Sequence, residues 1–101
     1  MTGNEIMENL YGNYHKELQS VLAELDPEFA NIIKDFPYET IWSRDGLNLK
    51  EKSMITISSL IAMGRDDQLE IHMRGFLNSG GTKELFCISA VQMKLKALFL
   101  Y

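Results

Sequence analysis

Apolar side chains recur at steps of three and four along most of this chain, and that spacing commits it to helices before anything else is weighed. In residues 4–25 they fall at Met7, Tyr11, Tyr14, Leu18, Val21 and Leu25, with Leu10 and Leu22 widening the stripe. A helix gathers those positions on one face, so the pattern predicts one long amphipathic helix. Asp26 followed by Pro27 marks a second start, because aspartate accepts from unpaired amides and proline fits a first turn. That helix should carry Phe29, Ile32 and Ile33 inward and stop before Pro37, since the residue preceding a proline is biased away from helical angles. A short helical turn over residues 38–43 and a loop at Asp45 and Gly46 should follow.

Asn48 can cap a third helix, which turns almost wholly apolar after Ser53, as buried helices do. Its Ser53, Thr56 and Ser59 form a strip of small side chains where a neighbour could approach closely. Gly64 suits the left-handed residue that ends it, and Asp66 can begin a fourth helix running to about Asn78. There Leu69, His72, Met73 and Phe76 share the inward face, while Glu70 and Arg74 form a solvated pair outside. Ser79, Gly80 and Gly81 break the chain, and Thr82 can cap a fifth helix from Lys83. Residues 91–98 fit a strand period and a helical one; helix is the expectation. The fold predicted is all-α, a single compact domain over residues 1–101 built from about five helices.

Composition narrows the functions open to such a fold. A net charge of -4, with no basic stripe, argues against nucleic-acid binding, because phosphate neutralisation needs clustered Lys and Arg. No apolar run approaches the roughly 20 residues that cross a bilayer, and the opening MTGNEIMENLYG lacks a signal pattern, so no membrane association and a cytoplasmic location are expected. The single cysteine, Cys87, offers no internal disulfide, no CxxC pair and no zinc cluster, and reads as a buried structural residue. Two histidines without ligand spacing give no metal site, and no cofactor is called for. Apolar residues near the end, including Phe86, Ile88, Val91, Leu95, Leu98, Phe99 and Leu100, exceed what one small core covers and favour association with further copies.

Chemistry is concentrated between Ile41 and Gly80. His72 lies on the apolar side of its helix, with Gln68 one turn earlier, Arg65 a turn before that, and Arg44 upstream in the loop after Trp42. Each has a plain structural alternative. A lone histidine on an apolar face is more often a hydrogen-bonded core residue than a catalyst. Arg44 could cap a helix or bridge subunits, Arg65 could be a surface residue and Trp42 a packing anchor. Tyr11 and Tyr14 read as core or interface, and His15 as surface.

The run Trp42-Ser43-Arg44, Gly46-Leu47, Gly64-Arg65, Leu69, His72 with Arg74, and Leu77-Asn78 before Gly80-Gly81-Thr82 resembles the carboxymuconolactone decarboxylase family. With Pro27-Glu28-Phe29 upstream, the resemblance covers residues 20–85. It implies the alkyl hydroperoxidase D-like helical fold, assembly as a trimer or hexamer, and a lyase that releases carbon dioxide from a small carboxylated lactone in aromatic-acid breakdown. Loss of carbon dioxide leaves electron density in the ring, and a proton must then reach carbon. Histidine suits that transfer. The resemblance therefore makes His72 the proton donor or shuttle, Arg44 and Arg65 holders of substrate carboxylates, Trp42 a wall of the site and Gln68 a polar contact, with a small anionic lactone as partner.

Two departures from the family pattern keep a second class open. Members commonly carry glutamate where Gln68 stands, and an amide cannot hold the charge that would tune His72. Members also usually continue with a Tyr-x-Gly-x-Pro segment and a further helix, and the change of pattern after Leu85 reads as a truncated or frame-altered end. A noncatalytic relative that assembles and binds a small ligand is the alternative. A peroxide-reducing function, known in the redox branch, is disfavoured, because the positions of its two cysteines fall on Arg65 and Gln68.

Overall fold

The first apolar stripe does not run through as one helix: it breaks at Gly12. Helix α1 (Gly3–Tyr11) ends where Gly12 takes a φ of 60°, a conformation that a side chain would strain, and α2 (Tyr14–Leu25) starts afresh. In this computed structural model the backbone of residues 1–100 and the side chains of residues 1–92 are described. Leu95, Leu98, Phe99 and Leu100, expected to carry surplus apolar surface, have side chains outside the described residues.

The chain divides into two compact units, residues 1–47 and a second beginning at Asn48. In the first, α2 is followed by α3 (Pro27–Ile33), whose Asp26 cap accepts from the Glu28 amide at 3.1 Å. The chain does not stop before Pro37. It widens into a π-helical segment, Lys34–Ile41, that passes through the proline and closes with the Trp42 amide donating to the Pro37 carbonyl at 2.8 Å. In an α-helix the proline ring would meet the carbonyl four residues back; the wider turn shifts the register of that ladder.

Helix α1 packs on this segment and buries Ile6, Met7, Leu10 and Tyr11. Gly3 makes the approach close: a Cβ there would run into the Lys34 carbonyl oxygen, and the Gly3 amide donates to Glu39 Oε1 at 3.1 Å. Beyond the break the expected inward stripe turns outward, and Tyr14, Val21, Leu25, Phe29 and Ile32 are exposed, while Ala30 is buried. Re-aiming α2 at Gly12 rotates its apolar positions out of line with those of α1.

The second unit follows its sequence signals closely. Asn48 opens α4 (Leu49–Met63) with a reciprocal capping box, its side chain accepting from the Glu51 amide while Glu51 accepts from the Asn48 amide, each at 2.8 Å. Helix α4 packs against α5 (Asp66–Asn78) and α6 (Lys83–Leu100). Ile57, Ile61 and Phe76 form the buried centre, with Met54, Leu69, Met73, Leu85, Phe86 and Ala90 packed around it. The strip of small residues divides: Ser53 is buried, whereas Thr56 and Ser59 donate to carbonyls of their own helix. The terminal segment is helical and not a strand, so among the described residues the protein is all-α, with six α-helices and no strand.

Candidate functional site

Helix α5 is aimed by the turn that precedes it. Gly64, at φ 70°, donates to the Ile61 carbonyl at 3.2 Å, and the Arg65 amide donates to the Leu60 carbonyl at 2.9 Å. This pair of bonds satisfies the last carbonyls of α4 and reverses the chain into α5. Arg65 thus has its backbone fixed by α4, while its side chain is exposed and turns to Asp67. Its Nε and Nη2 donate to the two carboxylate oxygens of Asp67, each at 3.3 Å. That contact holds the Asp67 carboxyl below its ordinary range and raises the guanidinium further.

His72 stands about two turns beyond Arg65, on α5. Its neighbours on the inward face, Leu69, Met73 and Phe76, belong to the Ile57 cluster, so the imidazole is half-buried at the edge of hydrocarbon, with Nδ1 enclosed. Burial pushes its pKa below the ordinary 6.5, favouring the neutral ring. Gln68, one turn before His72, is exposed. Along α5 runs a groove of about 440 Å³ lined by Asp66, Leu69, Glu70, Met73, Arg74 and Leu77. His72 does not line it. The expected Glu70–Arg74 pair is present there, at 3.8 Å.

Of the residues expected to act together, Arg65, Gln68 and His72 belong to the second unit, and Trp42 and Arg44 to the first. Trp42 leaves the π-helical segment half-buried, and the Arg44 side chain is exposed on the turn that follows, its amide donating to the Ile41 carbonyl at 3.2 Å. Two expectations are corrected. His15 is not a surface residue: it is 7% exposed, with Nδ1 2.9 Å from the Gly12 carbonyl oxygen, because the break at Gly12 folds the start of α2 back over that carbonyl. Cys87 is exposed rather than buried, since α6 turns its neighbours Leu85, Phe86 and Ala90 toward the core.

Sequence reasoning also missed a phenol pair, Tyr11 and Tyr38, whose hydroxyls lie 2.7 Å apart in buried surroundings. The stripe position of Tyr11 signalled its burial; nothing local signalled Tyr38, which followed a proline in a stretch read as a short turn.

Among the described residues no group of His, Cys, Asp and Glu could hold a metal ion, and no helix is long and apolar enough to cross a membrane. Among the described residues the protein is all-helical, and its α5 carries the half-buried His72. Residues 27–92 match the carboxymuconolactone decarboxylase family, and the chain belongs to that family. The match includes Trp42, Arg44, Arg65, Gln68 and His72.

The chain is similar to the 4-carboxymuconolactone decarboxylase of Acinetobacter baylyi, 36% identical over 84 residues that make up 81% of this chain and 62% of that protein. It is also similar to a nitrosuccinic acid decarboxylase of Metarhizium robertsii, 33% identical over 52 residues, 52% of this chain and 36% of the relative. Peroxisomal protein 2 of Schizosaccharomyces pombe is 29% identical over 83 residues, 81% of this chain and 39% of that protein. The matched stretch thus spans less than two thirds of each of these relatives.

Proposed function

We propose that this protein is a carboxy-lyase that releases carbon dioxide from a small carboxylated lactone of aromatic-acid catabolism. The observation that carries the reading is His72, half-buried and with its pKa lowered by that burial, within the segment that matches the family. In the reaction the bond from the ring to the carboxylate carbon breaks, its electron pair passes into the unsaturated ring, and a proton replaces the lost group at carbon. His72 takes that proton from solvent and delivers it; a desolvated imidazole is a stronger acid once protonated. In the unit that holds His72, Arg65 offers a cation for a remaining carboxylate and Gln68 a hydrogen bond. The matched segment also carries Arg44 and Trp42, which we propose as ligand-binding residues, a cation for a carboxylate and an aromatic face that covers a ring. The two decarboxylases among the relatives support the reaction class.

The working form is a homo-oligomer, a trimer or hexamer. Large apolar side chains left exposed in a single copy support this, among them Ile55 and Met63 on α4 and Ile88 and Val91 on α6, each more than half exposed.

The test is carbon dioxide release from 4-carboxymuconolactone and a panel of related carboxylated lactones. Turnover that disappears in His72→Ala while assembly is unchanged is expected; full activity in that variant would remove His72 from the mechanism. A second reading, a noncatalytic ligand-binding member, is favoured by the amide at Gln68 and predicts binding without turnover across the panel.

A further inference from the structure

Tyr38 is buried in the π-helical segment, with its ring edge to face against Tyr11, the centroids 5.8 Å apart and the planes at 88°. The hydroxyl–hydroxyl distance of 2.7 Å ties it to α1, where Tyr11 is 2% exposed. Desolvation raises both phenols above their ordinary value of 10.0, so both keep their protons and one donates to the other. The Tyr38 ring also lies 5.9 Å from the Trp42 ring, tilted by 32°. An indole at the end of a helical segment has several staggered orientations open to it, and a fixed aromatic neighbour selects among them.

We infer that Tyr38 is a positioning residue: anchored to α1 through Tyr11, it fixes the Trp42 indole in the orientation that stacks on the unsaturated ring of the substrate. The inference rests on the proposal that Trp42 covers the ligand. It adds to that proposal two residues that do not themselves contact the substrate. The π-helical segment buries Tyr38 and brings Trp42 beside it, just before the turn that carries Arg44.

The chain has one tryptophan, so its emission reports on Trp42 alone. In the 101-residue chain Tyr38→Leu should shift that emission to the red, with unchanged far-ultraviolet circular dichroism. Titration with the carboxylated lactone, read as quenching, should then show binding weakened by roughly three- to tenfold, about the size of one lost aromatic contact. In turnover the loss should fall on KM, with kcat within about twofold of the parent. Tyr11→Phe deletes one oxygen and should move both readouts in the same direction to a smaller extent, which keeps the test available should Tyr38→Leu fold poorly.

Emission and binding unchanged in both variants would overturn the inference, as would a fall in kcat with KM constant. Its failure is distinct from failure of the lyase reading. Lactone that quenches Trp42 without being turned over, and binds more weakly in Tyr38→Leu, sinks the lyase and keeps the positioning role. Turnover with a KM indifferent to Tyr38 does the reverse, and a parent chain that neither binds nor turns over lactone sinks both.

Discussion

The Arg65 guanidinium lies along the Asp67 carboxylate, with Nε and Nη2 each 3.3 Å from an oxygen. The charge that the family resemblance assigns to substrate is therefore already engaged, and any carboxylate bound by Arg65 would compete with Asp67. Exposed pairs of this kind contribute little to stability, because solvent screens them.

Arg65→Ala should raise KM for a carboxylated lactone by less than about threefold, since part of what is lost is a contact to Asp67. Steady-state kinetics checks the size of the effect. Asp67→Asn supplies the converse: releasing Arg65 should lower KM, and should do so less as salt is raised.

The pKa of His72, lowered from 6.5 by burial, sets two pH dependences. As proton donor it must first be protonated, so kcat/KM should fall as pH rises through a value below 6.5. Stability runs the other way. The unfolded chain takes up a proton on this ring at a pH where the folded protein does not, so the contribution is complete above 6.5 and is lost as pH falls below it. His72→Gln should flatten that acid slope in urea unfolding measured between neutral pH and about pH 5. Titration of the imidazole resonance by NMR reads the midpoint directly, and a midpoint at or above 6.5 would contradict both expectations.

What the sequence made legible was local. Asn48, Gly64 and Thr82 act through hydrogen bonds to residues a turn away, and each marks an element end where expected; Asp66 opens α5 as its first residue, with no side-chain capping bond at that end. The periodicity of residues 4–25 misled because three-and-four spacing continues across Gly12, while the chain direction does not. Pro37 misled for a related reason: a proline forbids one hydrogen-bond register, and the chain adopted another. The burial of His15 and the exposure of Cys87 depend on what packs beside them, which spacing along one helix does not encode. At the candidate site, residue types pointed to a family, and His72 was correctly turned toward the core. The contact of Asp67 with Arg65 went unseen because spacing along a helix does not encode which rotamers two exposed charges two residues apart adopt.

The centre of the second unit is small, so single changes there should be felt. Phe76 is 1% exposed and packs with Ile57 and Ile61, and Phe76→Ala should destabilise by about 3–5 kcal/mol through lost burial and the cavity left behind. Gly81→Ala tests the same packing from outside: a Cβ there would run into the Phe76 ring, which has no room to give because the core holds it. About 1–3 kcal/mol is expected from that overpacking. Thermal or urea unfolding checks both. The double variant should cost less than the sum, since removing the ring removes the clash.

Association should depend on the apolar residues that one copy leaves in water. Ile88 on α6 is 58% exposed, and Met63 at the end of α4 is 66% exposed. An aspartate at either place costs an isolated subunit little, because the side chain already meets solvent. Buried against another copy, the same carboxylate would lose its hydration without gaining a partner, a penalty of several kcal/mol per ion. Ile88→Asp or Met63→Asp is therefore expected to shift the mass measured by light scattering toward the monomer while helical circular dichroism is retained. If assembly is what stabilises so small a core, the dissociated variants should also melt lower, and their Tm should rise with protein concentration until association is restored. A variant that keeps its mass would show that these side chains lie outside the contact between copies.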